Sequence, residues 1–450
     1  MKKKFRILFA VPGLQGHLGP SMAIAKHLIQ RGHTIGYCSG EPARSFVNKF
    51  GIQDFFSRNR YQSMIMDKKT LVRGLFEYWI NAPQVYSVAA INECFQEMML
   101  AVESFKPDIM YIDTYDFLAV AVADKYHIPY AHGSAAPIAY IEKDIPPLGT
   151  GWNINTPWLN RLKLIPIAGM AAPFMLRAYL NQKRAIKAID NHWKTSNISG
   201  VSPYLYMLYM TDKIEYPRKL FVPQIFYVGP SILEPNESEL PDFPWGRVDD
   251  SLPLIYIATG TLFAGHYQDF YRNVIKALSD SKFSIPVQVV MAIGKGQSIE
   301  KLGQIPSNVI VVPFAPQIKL LEKADLFVTH GGVNSVNESL IHGKPMLVVH
   351  WGGDRMEMAK RVEYHGAGIS LDVDEATVGR IRKDVIALLK QPRYTRAAEG
   401  IMHSYKRCGG ARTAADLIER LAETRKPILR RKGSPIVLED SGNLPDVLEI

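Results

Sequence analysis

Between Phe314 and Arg355 four short runs follow one another: F-A-P-Q, T-H-G-G-V-N-S-V-N-E, H-G-K-P and G-G-D-R. The apolar run Ala324–Thr329 predicts a buried parallel strand, and His330, Gly331 and Gly332 follow where the chain must turn into a helix starting near Asn334. Such a turn seats an anion. Free backbone N–H groups and the positive end of the helix dipole point at it, Asn334 and Ser335 add donors, and glycine at 332 lets the backbone approach closely. A diphosphate is the natural occupant. Phe314, with Ala315 beside it, ends the strand predicted over Val309–Pro313 and offers a flat face to a nucleobase; Gln317 and Glu338 could hydrogen-bond ribose hydroxyls. Glu338 lies one helical turn beyond Asn334, on the same helix face. Asp354 and Arg355 follow the apolar run Pro345–Val349, where a hexose on the diphosphate would reach. Ligands of open parallel sheets bind at these carboxyl ends of the strands.

A second set lies near the amino terminus. Moving a group onto a hydroxyl near neutral pH needs a base, and His17, in Q-G-H-L-G-P after the first predicted strand, is the base expected. A histidine base needs a partner that fixes its tautomer and stabilises the cation it becomes. Asp113 closes the Pro107–Ile112 strand at the same sheet edge and is the first choice. Asp116 is the alternative, although one of the two carboxylates could cap a helix from Phe117 onward, and a third reading leaves His17 in contact with neither. Ser134, ending the Pro129–Ser134 strand, is expected to touch acceptor or sugar.

Both sets together resemble the family-one, nucleotide-sugar-dependent glycosyltransferases, a group with the two-domain GT-B fold. The wording T-H-G-G-V-N-S-V-N-E-S-L is similar to bacterial members such as the zeaxanthin and macrolide glycosyltransferases. The resemblance implies base stacking by Phe314, where the family usually has Trp, ribose contacts from Gln317 and Glu338, and phosphate contacts from His330, Asn334 and Ser335, with Gly343 and Pro345 shaping the next turn. It implies His17 as catalytic base, an inverting single displacement, no metal, and no cofactor beyond a UDP-sugar co-substrate, with dTDP-sugars also used in the family. Thr259-Gly260-Thr261 resembles the family's Ser-Phe-Gly-Ser loop and would set Gly260 and Thr261 against the leaving diphosphate. Two departures concern the sugar: His350 stands where the family often has Pro, and Asp354-Arg355 where it typically has Asp-Gln or Glu-Gln. Gln both donates and accepts, whereas Arg only donates and is always charged. Arg355 therefore pairs with a uronic acid carboxylate, or it bonds neutral hydroxyls or a protein carboxylate. Two rival functions fit less well. A nucleotide-sugar epimerase would not need the Q-G-H-x-x-P loop with a distant Asp, and a non-catalytic binder of nucleotide sugar or apolar ligand would be expected to have lost the base or its partner.

The elements that must position these residues follow from pattern. Strand, glycine-rich loop Gly13–Gly19, helix Pro20–Arg31 and strand Thr34–Ser39 open the chain in the manner of a parallel, Rossmann-like sheet, and the strand–loop–helix theme recurs from Leu254. The fold expected is α/β: two Rossmann-like domains with parallel sheets facing across a cleft. Residues 1–232 form the acceptor-binding domain, 233–253 a proline-containing linker, 254–425 the nucleotide-sugar domain with its last helix packing back, and 426–450 a flexible tail.

At 450 residues the chain has room for two domains of about 200 residues each. Its net charge of +10 favours anionic partners, but the cations are scattered and no zinc spacing or helix-turn-helix accompanies them, which sets nucleic acid aside. Met, Tyr and Trp crowd the stretch between Tyr61 and Trp193, favouring a hydrophobic small-molecule acceptor such as a natural product, carotenoid or lipid hydroxyl. Cys38, Cys94 and Cys408 lie far apart with no C-x-x-C pair, which suggests a reducing cytoplasm. Ile7–Val11 is too short for a signal sequence, and Leu162–Leu180 is broken by Lys163, Pro166, Pro173 and Arg177, so no spanning helix is expected. The cluster Arg430, Arg431 and Lys432 reads as a solvated tail, with weak contact to anionic lipid on the inner membrane face as its alternative.

Overall fold

Most strands of the two large sheets are buried over nearly their whole length, as sheets covered by helices on both faces require. The computed structural model describes residues 3–432 and 447–448, apart from 41–42, 58–86, 115, 139–141, 148–149, 155, 164–175, 178, 182, 191–200, 235–239, 261–266, 280–282, 295–296 and 352–353. Much of the Met- and Tyr-rich stretch expected to line an acceptor pocket lies outside the described residues.

The first sheet contains β1 (Arg6–Ala10), β2 (Thr34–Gly40), β3 (Gln53–Ser57), β4 (Ile109–Asp113), β5 (Tyr130–Ser134), β6 (Leu205–Leu208) and β7 (Ile225–Tyr227), in the order β3-β2-β1-β4-β5-β6-β7. The second contains β8 (Leu254–Ala258), β9 (Gln288–Ala292), β10 (Val309–Val312), β11 (Leu326–Thr329), β12 (Met346–His350) and β13 (Gly368–Asp372), in the order β10-β9-β8-β11-β12-β13. All pairings within both are parallel. The order reverses between β1 and β4 and between β8 and β11, so each sheet has a switch point where a crevice opens beyond the strand ends.

One expected boundary is wrong in a way that matters. The first helix begins at Gln15, not Pro20, so His17 sits in a helical turn rather than a loop. Leu14, with extended backbone, starts it: the Leu14 carbonyl accepts from His17 N and Leu18 N, both at 2.9 Å. Pro20 is then inside the helix, and having no N–H it cannot close the bond to the Gly16 carbonyl.

The chain crosses between the sheets twice at one place. Leaving β7 it runs through Val228–Pro230; returning, it passes Cys408–Gly410, and Gly410 N donates to Val228 O at 2.8 Å. A β-carbon on Gly410, at φ +55°, would strike the Pro230 carbonyl, so glycine is required. The returning helix, Ala411–Thr424, buries Ala414, Ala415, Leu417, Ile418 and Leu421 against the first helix and the first sheet. Arg31 and His33 clamp it by bonding the Glu419 carboxylate, His33 Nε2 at 2.8 Å.

The expected free tail is likewise corrected over its first residues. Ile428 N donates to Tyr204 O and Arg430 N to Pro223 O, both at 2.8 Å, and Leu429–Arg430 (β14) pairs antiparallel with Val447–Leu448 (β15). Arg430 is buried, donates from Nε to Ile225 O at 2.8 Å and lies over the Phe221 ring, so its stem and charge are held by protein rather than offered to lipid.

Between the sheets lies a dry ionic cluster. Arg361, in helix Asp354–Tyr364, meets Glu215 from the β6–β7 connection at 2.8 Å and Glu357 at 3.2 Å, with all three side chains at most 2% exposed. Glu357 also accepts from Gly151 N at 3.2 Å, tying the helix to the 138–151 segment. Arg361→Ala would remove the cation that Glu215 and Glu357 share, leaving Glu215 the more distant Arg218 at 3.7 Å. We expect a loss of about 3–5 kcal/mol in denaturant unfolding, while replacing Arg361, Glu215 and Glu357 together by apolar residues restores most of it.

Candidate active site

The carboxyl ends of the two sheets meet, and the residues singled out in the sequence gather there. His17, after β1, and Asp113, the last residue of β4, face each other across the first switch point, with Nδ1 and Oδ2 2.9 Å apart. Asp113 is 2% exposed and His17 17%, so the carboxylate is withdrawn and the imidazole reachable. A proton on Nδ1 donated to the carboxylate fixes the tautomer whose basic lone pair is on Nε2, the arrangement that proton abstraction needs. Asp116 does the other job: its Oδ1 accepts from Ala119 N at 3.1 Å and caps helix Phe117–Lys125. Behind Asp113 the hydroxyls of Tyr111 and Tyr209 bond each other, over Gly133, where any β-carbon would strike both.

Ser134, expected to touch acceptor or sugar, has its hydroxyl engaged within the protein. It is buried, donates to Ala136 O at 3.0 Å and accepts from Thr114 at 3.3 Å and from Ala136 N at 3.3 Å, so its hydroxyl holds the turn after β5.

In the second sheet the strand–turn–helix seat is present as read. β11 ends at Thr329, Gly331 takes φ +89°, and helix Val333–Ile341 begins directly, with Asn334 and Ser335 in its first turn. The ring of His330 is enclosed by glycines: β-carbons on Gly260 or Gly332 would come within 2.8 Å or 2.7 Å of its Nε2. Burial, and then the positive charge of Arg355, push the His330 pKa down to about 3, so the ring is neutral at physiological pH and acts as a dipole. Arg355 stacks on Trp351, its guanidinium 4.9 Å from the ring centre. Asp354 opens the next helix; its side chain, like the whole of Thr261, lies outside the described residues.

Phe314 is exposed beyond β10, with Ala315 half-buried beside it. Gln317 begins helix Gln317–Lys323; its Oε1 accepts from Tyr256 at 3.2 Å and its Nε2 donates to Glu338. The two side chains expected on ribose are thus each other's partners here. Burial raises the Glu338 pKa to about 7, with the Gln317 bond opposing the rise.

Two residues of the site were not anticipated. Asn337 is 2% exposed; its Nδ2 donates to Tyr209 O at 2.6 Å and its Oδ1 accepts from Tyr405 at 2.7 Å. Tyr256 anchors Gln317. The signal for Asn337 was in the sequence, since it stands one helical turn from Asn334, but a buried Asn declares itself only when its partners are known. Asn334 itself donates from Nδ2 to Gly16 O at 2.8 Å. That carbonyl is the one Pro20 leaves without a helix donor.

The Glu338 shift has a consequence for stability. Its folded pKa of about 7 lies above the ordinary 4.5, so the folded state holds the proton more tightly and this group's stabilisation is fully present at low pH and lost as pH rises toward 7. Glu338→Gln, neutral throughout, removes that dependence. The unfolding free energy of wild type relative to Glu338→Gln should therefore rise as pH falls from about 7 to 4.5, by an amount of order 1–3 kcal/mol. A pH-independent difference in denaturant titrations would contradict it.

Comparison with known proteins follows the same lines. Residues 277–406 match the erythromycin biosynthesis protein CIII-like, C-terminal domain. The chain is 26% identical over 433 residues to 4'-demethylrebeccamycin synthase of Lentzea aerocolonigenes, covering 92% of this chain and 99% of that protein. It is 28% identical over 424 residues to NDP-glycosyltransferase YjiC of Bacillus subtilis, covering 93% and 97%. Among solved structures, CalG4, the calicheamicin glycosyltransferase, aligns with a TM-score of 0.70 at 21% identity over 95% of this chain and 100% of that one. The glycosyltransferase VinC, solved in complex with dTDP, aligns with a TM-score of 0.64 at 20% identity over 93% and 99%. These structural likenesses carry the GT-B fold.

Proposed function

We propose that this chain, which belongs to the family-one glycosyltransferases of GT-B fold, moves a hexose from a UDP-sugar to a hydroxyl of a hydrophobic small molecule with inversion at the anomeric carbon. The observation that carries the reading is the joining of two half-sites. His17 bonds Asp113, and its chain neighbour Gly16 is bonded by Asn334 of the anion seat, so base and leaving-group site lie side by side.

In the reaction proposed, the acceptor hydroxyl gives its proton to His17 Nε2 as its oxygen bonds the anomeric carbon. The bond from that carbon to the diphosphate oxygen breaks at the same time, and its electron pair leaves with the diphosphate. Asp113 steadies the imidazolium formed. The diphosphate's growing charge meets the N–H groups opening helix Val333–Ile341, the neutral ring of His330 and the side chains of Asn334 and Ser335. A ribose would replace the Gln317–Glu338 bond with bonds of its own, and Phe314 would stack on the base. Arg355, close enough to His330 to depress its pKa, adds positive charge at the diphosphate end, which favours a role with the leaving group over one reserved for a uronic acid. A small-molecule acceptor is supported in kind by relatives named 4'-demethylrebeccamycin synthase and oleandomycin glycosyltransferase.

Nucleotide release from a panel of UDP-, dTDP- and GDP-sugars without acceptor tests the donor site, with Asn334→Ala as control. Release from one donor, abolished in the control, is expected; silence together with no nucleotide binding sinks the reading. With an acceptor in hand, His17→Ala should lose about 10²–10⁴-fold in turnover while still binding nucleotide. Arg355→Gln should slow glucose and glucuronic acid donors by the same factor. A loss confined to the glucuronic acid donor would assign Arg355 to the sugar instead.

A further inference from the structure

From Ile145 to Ile189 the sequence contains no Asp or Glu and six cations: Arg161, Lys163, Arg177, Lys183, Arg184 and Lys187. Residues 176–189 are helical, with 178 and 182 outside the described residues. One face of that helix is built into the protein: Ala185 and Ile186 are buried in the core beneath β4 and β5, and Ile189 packs against the same cluster. The opposite face is a line of Leu176, Leu180, Lys183 and Lys187, all exposed, at spacings that keep them within an arc of about 60°. Arg177 and Arg184 flank it, also exposed. Leu176 and Leu180 are 56% and 41% exposed, and Leu159 and Leu162, in the short turn Trp158–Lys163, are each 54% exposed.

Singly exposed leucines need no explanation, but two in line at one end of a helix stripe whose other end is cationic do. The pattern suits one solvent boundary. Leucines enter the acyl edge of a bilayer while lysines, on their long stems, reach the headgroup phosphates. A hydrophobic protein partner would not call for an acid-free stretch of this length, and an acidic one would not call for the leucines.

We propose that this outer face of residues 176–187, with Leu159 and Leu162, docks the protein on an anionic lipid surface. The contact is electrostatic and shallow, since the face presents four exposed leucines and four cations, too little apolar area to hold without the charge. It lies on the first sheet's side of the molecule and is separate from the tail cluster, whose Arg430 is buried. The proposal is independent of the transferase reading, because it concerns lipid and not the nucleotide.

Flotation of the full chain with vesicles tests it, using phosphatidylcholine alone and phosphatidylcholine mixed with phosphatidylglycerol, at low and high salt. The expected result is flotation with the mixed vesicles only, reversed by salt. The double variant Lys183→Glu, Lys187→Glu should lower the bound fraction at least about tenfold, and Leu176→Ser, Leu180→Ser should weaken binding at both salt concentrations. Both pairs are exposed, so unfolding midpoints and nucleotide release should match wild type. Absence of flotation with the mixed vesicles, or flotation unchanged in both variants, overturns the proposal. So does self-association of the free chain that the leucine variant abolishes while vesicle binding persists, which would give the face to a second copy.

Discussion

A proline sets the geometry on which the site depends. Because Pro20 has no N–H, the Gly16 carbonyl in the first helix has no donor from the position four residues on and stands open to one from elsewhere. Asn334, in the first turn of a helix from the other sheet, supplies it. One turn further along that helix Asn337 makes the second stitch, to Tyr209 O at the end of β6. The same helix end that can seat an anion is therefore fastened to the turn that carries the histidine. Were the first helix an unbroken ladder, Asn334 would share the Gly16 carbonyl with a helical N–H instead of being its side-chain replacement.

The electrostatics of the site follow from how closely protein surrounds the titrating groups of His330 and Glu338. His330 and Glu338 stand within nine positions of each other in the chain, and burial shifts them in opposite directions, each toward its neutral form. In the proposed reaction, a site held neutral in this way would present dipoles and backbone N–H groups to the diphosphate, with fixed positive charge from Arg355 stacked on Trp351. Donors fixed in place need no reorganisation when charge develops, which is where most electrostatic assistance to a leaving group originates. The Glu215–Glu357–Arg361 cluster supports the same helix that begins with Asp354 and Arg355, so this part of the candidate site is tied to the first sheet's side through a buried ion triad.

The strands, the two parallel sheets and the donor turn were legible in the residues, because each rests on local rules: continuous apolar runs, glycines where the backbone reverses, and donors at a helix start. The expected placement of His17 in a loop failed for a local reason too. Glycines and a proline ordinarily punctuate a helix, yet Gly16, Gly19 and Pro20 all lie within one, since the core contacts of Leu18, Met22, Ile24 and Leu28 outweigh their poor propensity. The start of the tail beyond Lys426 was misread because Arg430, Arg431 and Lys432 follow one another there, while Ile428 and Arg430 find backbone partners beside the first sheet.

By itself, then, the sequence determined the chemistry on offer: a histidine, two nearby carboxylates, an anion-seating turn, and an aromatic with ribose-directed polar groups. Those depend on residue type and short spacing, which physical chemistry reads directly. Only the tertiary structure decided which carboxylate serves His17, giving Asp113 that position and Asp116 the helix cap; that Ser134 turns inward; and that Asn334 and Asn337 join halves of the chain more than a hundred residues apart. Such choices are settled by what lies across a sheet edge or an interface, and separation along the chain carries no information about that.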